Sequence, residues 1–296
     1  MKSGIAPQNA AARRGVYKSE EGRAAVEGYY RKALDSYSQI PLKRFHVPTP
    51  QGRTHIVGCG DPAKPPLILL HGSMANSATW LGMIPEFVAS FSVYCVDIPG
   101  EPGLSEPVRM PLKSGQPGAW LGSVLDGLGL KSAALLGMSL GSFYALSFAA
   151  ANPERVSALS LLVPGGIAAQ KTSFLPKMMF FMLLGAKGRA LIDKAVYYKT
   201  KVPEEIHEFQ ALVTANFNPL TEPIPIFGDE ELRRLTMPIQ YFGGVHDALL
   251  DTRATARRLS ALLPQAEIHV LEDKGHVIID RGTKIAAFLE RHLSGS

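Results

Sequence analysis

Six short, mostly apolar runs recur along this 296-residue chain, and helical patterns lie between most of them. A strand that is apolar along its whole length is buried on both faces, which is typical of parallel sheets covered by helices. Strands that alternate with helices therefore predict an α/β fold with a mostly parallel, doubly wound sheet. The predicted strands cover residues 67–70, 91–96, 133–136, 158–163, 239–242 and 268–271.

The remaining elements are predicted from periodicity and turn residues. Two strands near 43–47 and 54–59 are separated by turn residues around Gly52, which indicates an antiparallel hairpin at the sheet edge. Helices are predicted over 20–37, 119–128, 140–151, 252–263 and 283–293.

One long interval interrupts the alternation. Between residues 165 and 238 the pattern is helical and no strand is predicted, and loops of this length without structure of their own are uncommon. We therefore predict a helical cap inserted at 166–237. The α/β core would comprise 1–165 and 238–296, with 1–17 as a loose tail.

Composition and charge exclude several classes of protein. A hydrophobic fraction of 46% and a charged fraction of 19% allow a large core. The net charge of +5 comes from scattered Lys and Arg, whereas a nucleic-acid binder concentrates its basic residues in a patch. No apolar stretch approaches the roughly 20 residues that span a bilayer, and the first 21 residues lack the apolar core of a signal peptide. We expect a cytoplasmic protein with neither a membrane nor a nucleic-acid partner.

The two cysteines do not indicate a metal site. Cys59 and Cys95 lie in no metal-ligand spacing, so we expect two buried thiols and no metal. The alternative is a single disulfide, which requires an oxidising compartment.

The segment Gly137–Gly141 matches G-x-S-x-G, directly after an apolar strand and directly before a helix. This is the setting of a nucleophile on a sharp strand-to-helix turn. The positions two residues before and after Ser139 need to be small, and Gly137 and Gly141 meet that need. The alternative interpretation is a glycine-rich loop with a surface serine.

An oxyanion hole is predicted from two backbone N–H groups. His71-Gly72 ends the strand at 67–70, and Gly72 is expected to let the backbone turn over the sheet. The N–H of Ser73, or that of Met74, would be the first donor, and the N–H of Leu140 the second. His71 itself is interpreted as a structural histidine that bonds nearby backbone.

A serine hydroxyl needs an adjacent base and an acid that orients the base. His276 follows the last predicted strand, at the carboxyl edge where α/β sheets bind ligands, and His246 is its rival at the same edge. Asp247 follows the strand at 239–242, and the chain order Ser, Asp, His is that of α/β-hydrolases. Asp251 is interpreted as the first residue of a helix, and the segment 163–166 offers no carboxylate.

At these motifs the sequence resembles the α/β-hydrolase superfamily, from about residue 43 to 292. The elbow at Ser139, the segments at His71 and 96–100, Asp247 and His276 follow the family's order. More narrowly, the chain is similar to bacterial carboxylesterases typified by the Bacillus naproxen-ester esterase. That similarity rests on the leading helix, on 152–156, and on 229–232 before Pro238. The segment 100–105 departs from the family's D-x-x-G-x-G-x-S pattern by one additional residue.

We therefore hypothesise a two-step acyl transfer on a small ester, in which Ser139 attacks the carbonyl and His276 moves the protons, without metal or organic cofactor. A preference for small to medium apolar esters is expected because the cap is rich in Met and Phe. The candidate pocket residues, for which ordinary packing is the alternative, are Met74, Trp80, Met138, Phe174 and Met178. Other functions open on the same fold are a C–C bond hydrolase, a lactonase or thioesterase, and a non-enzymatic ligand receptor. The sequence does not predict the oligomeric state.

Overall fold

The computed structural model describes residues 15–171, 176, 177, 180, 181 and 183–293. Within this part, eight strands form one sheet. The strands are β1 Lys43–Thr49, β2 Gly52–Cys59, β3 Pro66–Leu70, β4 Ser92–Val96, β5 Ala133–Met138, β6 Val156–Leu162, β7 Ile239–Gly244 and β8 Glu267–Leu271.

The sheet has the spatial order β1-β2-β4-β3-β5-β6-β7-β8. The pairs β1/β2 and β2/β4 are antiparallel, and every other pair is parallel. This confirms the predicted mostly parallel sheet with a hairpin at its edge. Since β4 and β5 lie on opposite sides of β3, the chain changes direction across the sheet at β3. Ligands of open α/β sheets bind at the carboxyl ends of the strands at such a switch point.

The helices agree with the sequence pattern, with small differences at their ends. Two short ones near residues 77–80 and 84–87 were not predicted, because each spans only four residues. The α-helices among the described residues are α1 Glu20–Ser36, α2 Ile84–Phe87, α3 Gln116–Gly127, α4 Leu140–Ala151, α5 Gly185–Tyr197, α6 Glu204–Asn216, α7 Asp229–Arg233, α8 Thr252–Leu262 and α9 Gly282–Leu293.

Two apolar clusters cover the two faces of the sheet. One includes Trp120 and Phe148, and the other includes Trp80, Phe87 and Phe242. Trp80 is fully buried in its cluster. Its side chain therefore belongs to the core, which corresponds to the packing alternative and not to a pocket lining.

A smaller cluster joins the start of the described chain to the predicted cap. Val16 is buried against Val213 and Phe217, together with Val26 of α1. Tyr17 forms an antiparallel bridge with Phe217. The expectation of a loose tail up to residue 17 is wrong for residues 15–17, because an apolar pair there packs against the end of α6.

The segment 166–237 contains α5, α6 and α7, and its described part contributes no strand to the sheet. Its last residues, including Leu232, Leu235 and Met237, are buried in the cluster around Trp120. The limits of the cap stay a prediction, and this end of the segment packs as core.

Cys59 and Cys95 are buried free thiols, as the first interpretation predicted. Burial raises the pKa of the Cys59 thiol to about 11. None of the helices in the described ranges has the length and hydrophobicity to cross a membrane.

Candidate active site

The elbow between β5 and α4 presents Ser139 at a strained backbone geometry. Its φ of 52° lies in a region that residues other than glycine rarely adopt. A Cβ at position 137 would lie 2.6 Å from the Ser142 backbone, and one at 141 would lie 2.1 Å from the Leu70 carbonyl oxygen. Glycine is therefore required at both positions, as the motif predicts.

The structure brings Ser139, Asp247 and His276 together from the ends of β5, β7 and β8. Nε2 of His276 lies 3.0 Å from Oγ of Ser139, and Nδ1 lies 2.8 Å from Oδ2 of Asp247. Ser139 and Asp247 therefore contact opposite sides of one imidazole ring. This is the arrangement in which a base takes a proton from a hydroxyl while a carboxylate fixes its tautomer.

Asp247 is held as a carboxylate. Burial acts to raise its pKa, but the facing His276 and the N–H groups of Leu249 and Leu250 hold the pKa below its usual value. Both N–H groups donate to Oδ1, at 2.8 and 3.0 Å, which leaves Oδ2 for the imidazole. Lys171 also holds this loop, because its Nζ donates to the Asp247 carbonyl oxygen at 2.8 Å.

The loop after β3 differs from the expectation at its turn. The left-handed residue is Met74, with φ of 57°, and a Cβ on Gly72 would meet only ordinary contacts. His71 is buried, and its Nε2 accepts the Ile98 N–H at 3.0 Å. Its Nδ1 therefore carries the proton and donates to the Gly72 carbonyl oxygen at 2.8 Å. His71 thus bonds only backbone, as a structural histidine would.

The two candidate oxyanion donors in this loop differ in their partners. The Met74 N–H donates to Oε2 of Glu101 at 2.7 Å. Within the described part of the chain, the Ser73 N–H has no acceptor. Leu140 is the first residue of α4, where N–H groups lack partners inside the helix. The N–H groups of Ser73 and Leu140 are therefore available to a substrate.

Glu101 is a residue that the sequence analysis missed. Its side chain is buried, and burial raises its pKa to about 7, against the lowering effects of the Met74 N–H, Arg109 and Ser73. The one signal in the sequence was the additional residue in segment 100–105, which contains Glu101.

The segment 166–237 bonds directly to two loops of the site. The His276 N–H donates to the Val196 carbonyl oxygen at 3.0 Å, near the end of α5. Gln210 of α6 donates from Nε2 to the Met74 carbonyl oxygen at 3.0 Å. The segment therefore holds both the candidate base loop, which carries His276, and the candidate oxyanion loop, residues 71–74.

The other candidate residues have different places. His246 is exposed and stacks on Tyr198 with ring centroids 4.1 Å apart. Asp251 caps α8 by accepting the Ala254 N–H at 2.9 Å, as predicted. Met138 is buried beside Ser139, and Met74 is half-buried against the Val16 cluster.

Phe174 and Met178, the two candidate pocket residues from the cap, lie outside the described residues. In the described ranges, no group of three or more His, Cys, Asp or Glu side chains is arranged to hold a metal ion.

Comparisons with known proteins relate the chain to a family of hydrolases and to bacterial carboxylesterases. The model of a family described as "Alpha/beta hydrolase family" matches residues 67–288. The carboxylesterase nap of Bacillus subtilis, described as uncharacterized, is 30% identical over 84% of this chain and 86% of its own length. The carboxylesterase YbfK of the same species is 30% identical over 86% of this chain and 90% of its own. The crystal structure of that carboxylesterase, CesB (YbfK), superposes with a TM-score of 0.80 at 25% identity, covering 93% of this chain and 99% of the other.

Proposed function

Because the chain belongs to the alpha/beta hydrolase family, we propose that it is a serine hydrolase that cleaves carboxylic esters, with Ser139, His276 and Asp247 as its triad. The observation that supports this assignment is the single imidazole of His276, which lies within hydrogen-bonding distance of both the hydroxyl and the carboxylate. The two relatives that are 30% identical are both named as carboxylesterases, which favours esters over other acyl compounds.

The reaction proceeds in two steps through an acyl-enzyme. His276 takes the Ser139 proton as the oxygen attacks the ester carbonyl, and then gives that proton to the leaving alcohol. A water molecule, deprotonated by the same imidazole, attacks the acyl-enzyme and releases the acid. Asp247 stays ionised throughout and stabilises the imidazolium, in keeping with its lowered pKa.

The oxyanion of each tetrahedral intermediate is held by the N–H groups of Ser73 and Leu140. This assignment is supported by the bond between the Met74 N–H and Glu101, which leaves Ser73 as the donor of that loop. Removing one such donor typically costs about 3 to 4 kcal/mol of barrier.

The substrate class is a small to medium ester with an apolar group. Met74 and Met138 flank the two oxyanion segments, and methionine adapts to apolar groups of different shape. The segment 166–237 acts as a cap over this site, a role supported by its bonds to the base and oxyanion loops. A cytoplasmic location is part of the proposal, supported by the two unpaired cysteines.

Hydrolysis of p-nitrophenyl acetate and butyrate tests the assignment. We expect Ser139→Ala to lower kcat by at least about a thousandfold and to abolish labelling by a fluorophosphonate probe. Ser147→Ala is the matched control: Ser147 lies in α4 two turns beyond the elbow, and its hydroxyl donates to the Phe143 carbonyl oxygen. Full activity in Ser139→Ala, or no activity in the wild type on any ester tested, contradicts the proposal.

A further inference from the structure

The loop that follows β4 is fixed on both sides of Glu101. The Leu104 N–H donates to Oδ2 of Asp97 at 2.9 Å, and Nδ2 of Asn76 donates to the Pro102 carbonyl oxygen at 2.9 Å. The two side chains that make these bonds, Asp97 and Asn76, are buried. The backbone that carries Glu101 is therefore anchored independently of what Glu101 contacts.

The carboxylate of Glu101 is directed at the oxyanion loop. Oε2 accepts the Met74 N–H at 2.7 Å, and the nearby Ser73 side chain helps to lower the pKa of the carboxyl. Only 4% of Glu101 is exposed, so water does not compete for the Met74 N–H. One buried carboxylate thus bonds Met74 and lies beside Ser73, the two consecutive residues of the turn.

Met74 needs such support because of its backbone. A left-handed φ of 57° is disfavoured for a residue with a side chain, and it persists only where neighbouring groups impose it. The Met74 N–H is bound by Glu101, and its carbonyl oxygen is bound by Gln210. The peptide turn that leaves the Ser73 N–H without a partner is therefore held from both ends.

One positively charged group and two tyrosines face the carboxylate of Glu101. Arg109 faces it from the same connection, Tyr144 faces it from α4, and Tyr17 faces it from the start of the described chain. Burial raises the pKa of both tyrosines, so they stay neutral, and Arg109 supplies the positive charge. With a pKa of about 7, Glu101 changes its protonation state in the neutral range.

We propose that Glu101 is a positioning residue: its ionised carboxylate holds the Ser73–Met74 peptide in the orientation that presents the Ser73 N–H to the substrate oxyanion. This inference rests on the proposed esterase function. Glu101 acts through the loop and touches neither substrate nor Ser139. Because the oxyanion exists only during the chemical step, the effect of Glu101 falls on kcat and not on KM.

The first experiment compares kcat and KM for p-nitrophenyl butyrate in the wild type, Glu101→Ala and Glu101→Gln. We expect Glu101→Ala to lose roughly 10- to 100-fold in kcat, less than the loss of an entire oxyanion donor, with KM changed less than about threefold. Glu101→Gln keeps an acceptor for the Met74 N–H, so it recovers part of this loss. Glu222→Gln is the matched control, since Glu222 accepts the Leu112 N–H at 3.0 Å outside the site, and its kcat stays within about twofold of the wild type.

The pH profile separates positioning from a general structural role. Glutamine does not titrate, whereas the wild type loses the ionised carboxylate as pH falls through about 7. We therefore expect the ratio of kcat in Glu101→Gln to kcat in the wild type to rise severalfold between pH 8.5 and pH 6.

Three results overturn the positioning role: an unchanged kcat in Glu101→Ala, a loss that appears only in KM, or a ratio that is constant with pH. If Glu101→Ala does not fold, the pH ratio of Glu101→Gln decides the question alone. An active wild type with unaffected Glu101 variants refutes this inference and leaves the esterase function intact. A wild type that is inactive and unlabelled by the fluorophosphonate probe refutes both.

Discussion

Strained backbone is concentrated around Ser139. Besides Ser139 and Met74, Val163 at the end of β6 has a positive φ of 42°, although it is β-branched. Val163 lies close to the elbow, because the Ser139 N–H donates to the Leu162 carbonyl oxygen and the Ser139 carbonyl oxygen accepts the Gly165 N–H. Such torsions cost about 1 to 3 kcal/mol each and are found where a site needs a fixed geometry. The scaffold around them therefore has to be rigid.

Asp247→Asn tests the role of the acid at constant shape. The amide group would present an N–H to Nδ1 of His276, which forces the proton onto Nε2 and removes the acceptor for the Ser139 proton. We expect kcat to fall by about 10³- to 10⁴-fold with little change in thermal stability. Asp251→Asn is the control from the same loop, because asparagine also caps helices well, and its activity stays near that of the wild type. Comparable activities in the two variants would exclude Asp247 as the acid.

Glu101→Gln also has a consequence for stability. The folded-state pKa of about 7 lies above the usual value of 4.5, so the folded protein binds this proton more tightly than the unfolded chain does. The stability that this proton contributes is present below pH 4.5 and is lost as pH rises through 7. Removing the charge should therefore stabilise the protein at pH 8, by up to about 3 kcal/mol, and by much less at pH 5. Urea unfolding at both pH values measures this difference, and equal effects at the two would contradict it.

The sequence predicts a residue well where its chemistry depends on nearby residues. Ser139 was predicted from its own pentapeptide, and His276 and Asp247 from the rule that parallel strands end at one edge of a sheet; the structure brings the three side chains within hydrogen-bonding distance. Glu101 depends on Met74, 27 residues away, and on a buried environment that no local pattern reveals. The turn was assigned to Gly72 for the same reason, since the contacts that force Met74 into a left-handed torsion come from distant segments.

At the scale of elements, α4 and β3 approach each other more closely than any side chain would allow. A Cβ on Gly141 would lie 2.1 Å from the Leu70 carbonyl oxygen, and the obstacle is backbone. The six strands were predicted because most of their residues are apolar. The packing of residues 15–17 was not, because two apolar residues outside any periodic element give no pattern.

Gly141→Ala should therefore abolish folding or reduce the free energy of unfolding by several kcal/mol, as judged by soluble yield and urea unfolding. Gly28→Ala is the opposite case, because Gly28 is exposed within α1 and a Cβ there has no neighbour within 4 Å. This second change should stabilise the protein by about 0.5 to 1 kcal/mol through helix propensity. A Gly141→Ala protein as stable as the wild type would show that α4 can move away from β3.

At the scale of the whole molecule, Asp97 joins segments that lie far apart in the sequence. Oδ1 accepts the Tyr30 hydroxyl of α1 and both the N–H and hydroxyl of Ser77, while Oδ2 contacts Nδ1 of His55 and accepts the Leu104 N–H. Burial acts to raise its pKa, but His55 and these donors hold the pKa of Asp97 well below its usual range. The N-terminal helix, β2 and the loop that carries Glu101 thus share one buried carboxylate.

Asp97→Asn should reduce the free energy of unfolding by about 3 to 5 kcal/mol at pH 7. The change removes the carboxylate charge of Asp97, which is buried against His55 and accepts hydrogen bonds from the donors named above. A lowered pKa contributes stability above the unfolded-state value near 3.8, and that contribution is lost as pH falls. The difference between Asp97→Asn and the wild type should therefore shrink toward pH 3. Urea unfolding at pH 7 and pH 3 measures it, and a difference independent of pH would contradict the assigned charge state.

In the proposed cap, the bond from the His276 N–H to the Val196 carbonyl oxygen couples the position of α5 to that of the loop that carries His276. That carbonyl belongs to the last turn of α5, where the helix provides no internal donor for it. Movement of α5 away from this loop, to admit a substrate or release a product, breaks the bond. The His276 N–H then loses the acceptor that fixes its backbone. Under the proposal, the backbone of His276 is therefore fixed for reaction only while α5 stays closed against its loop.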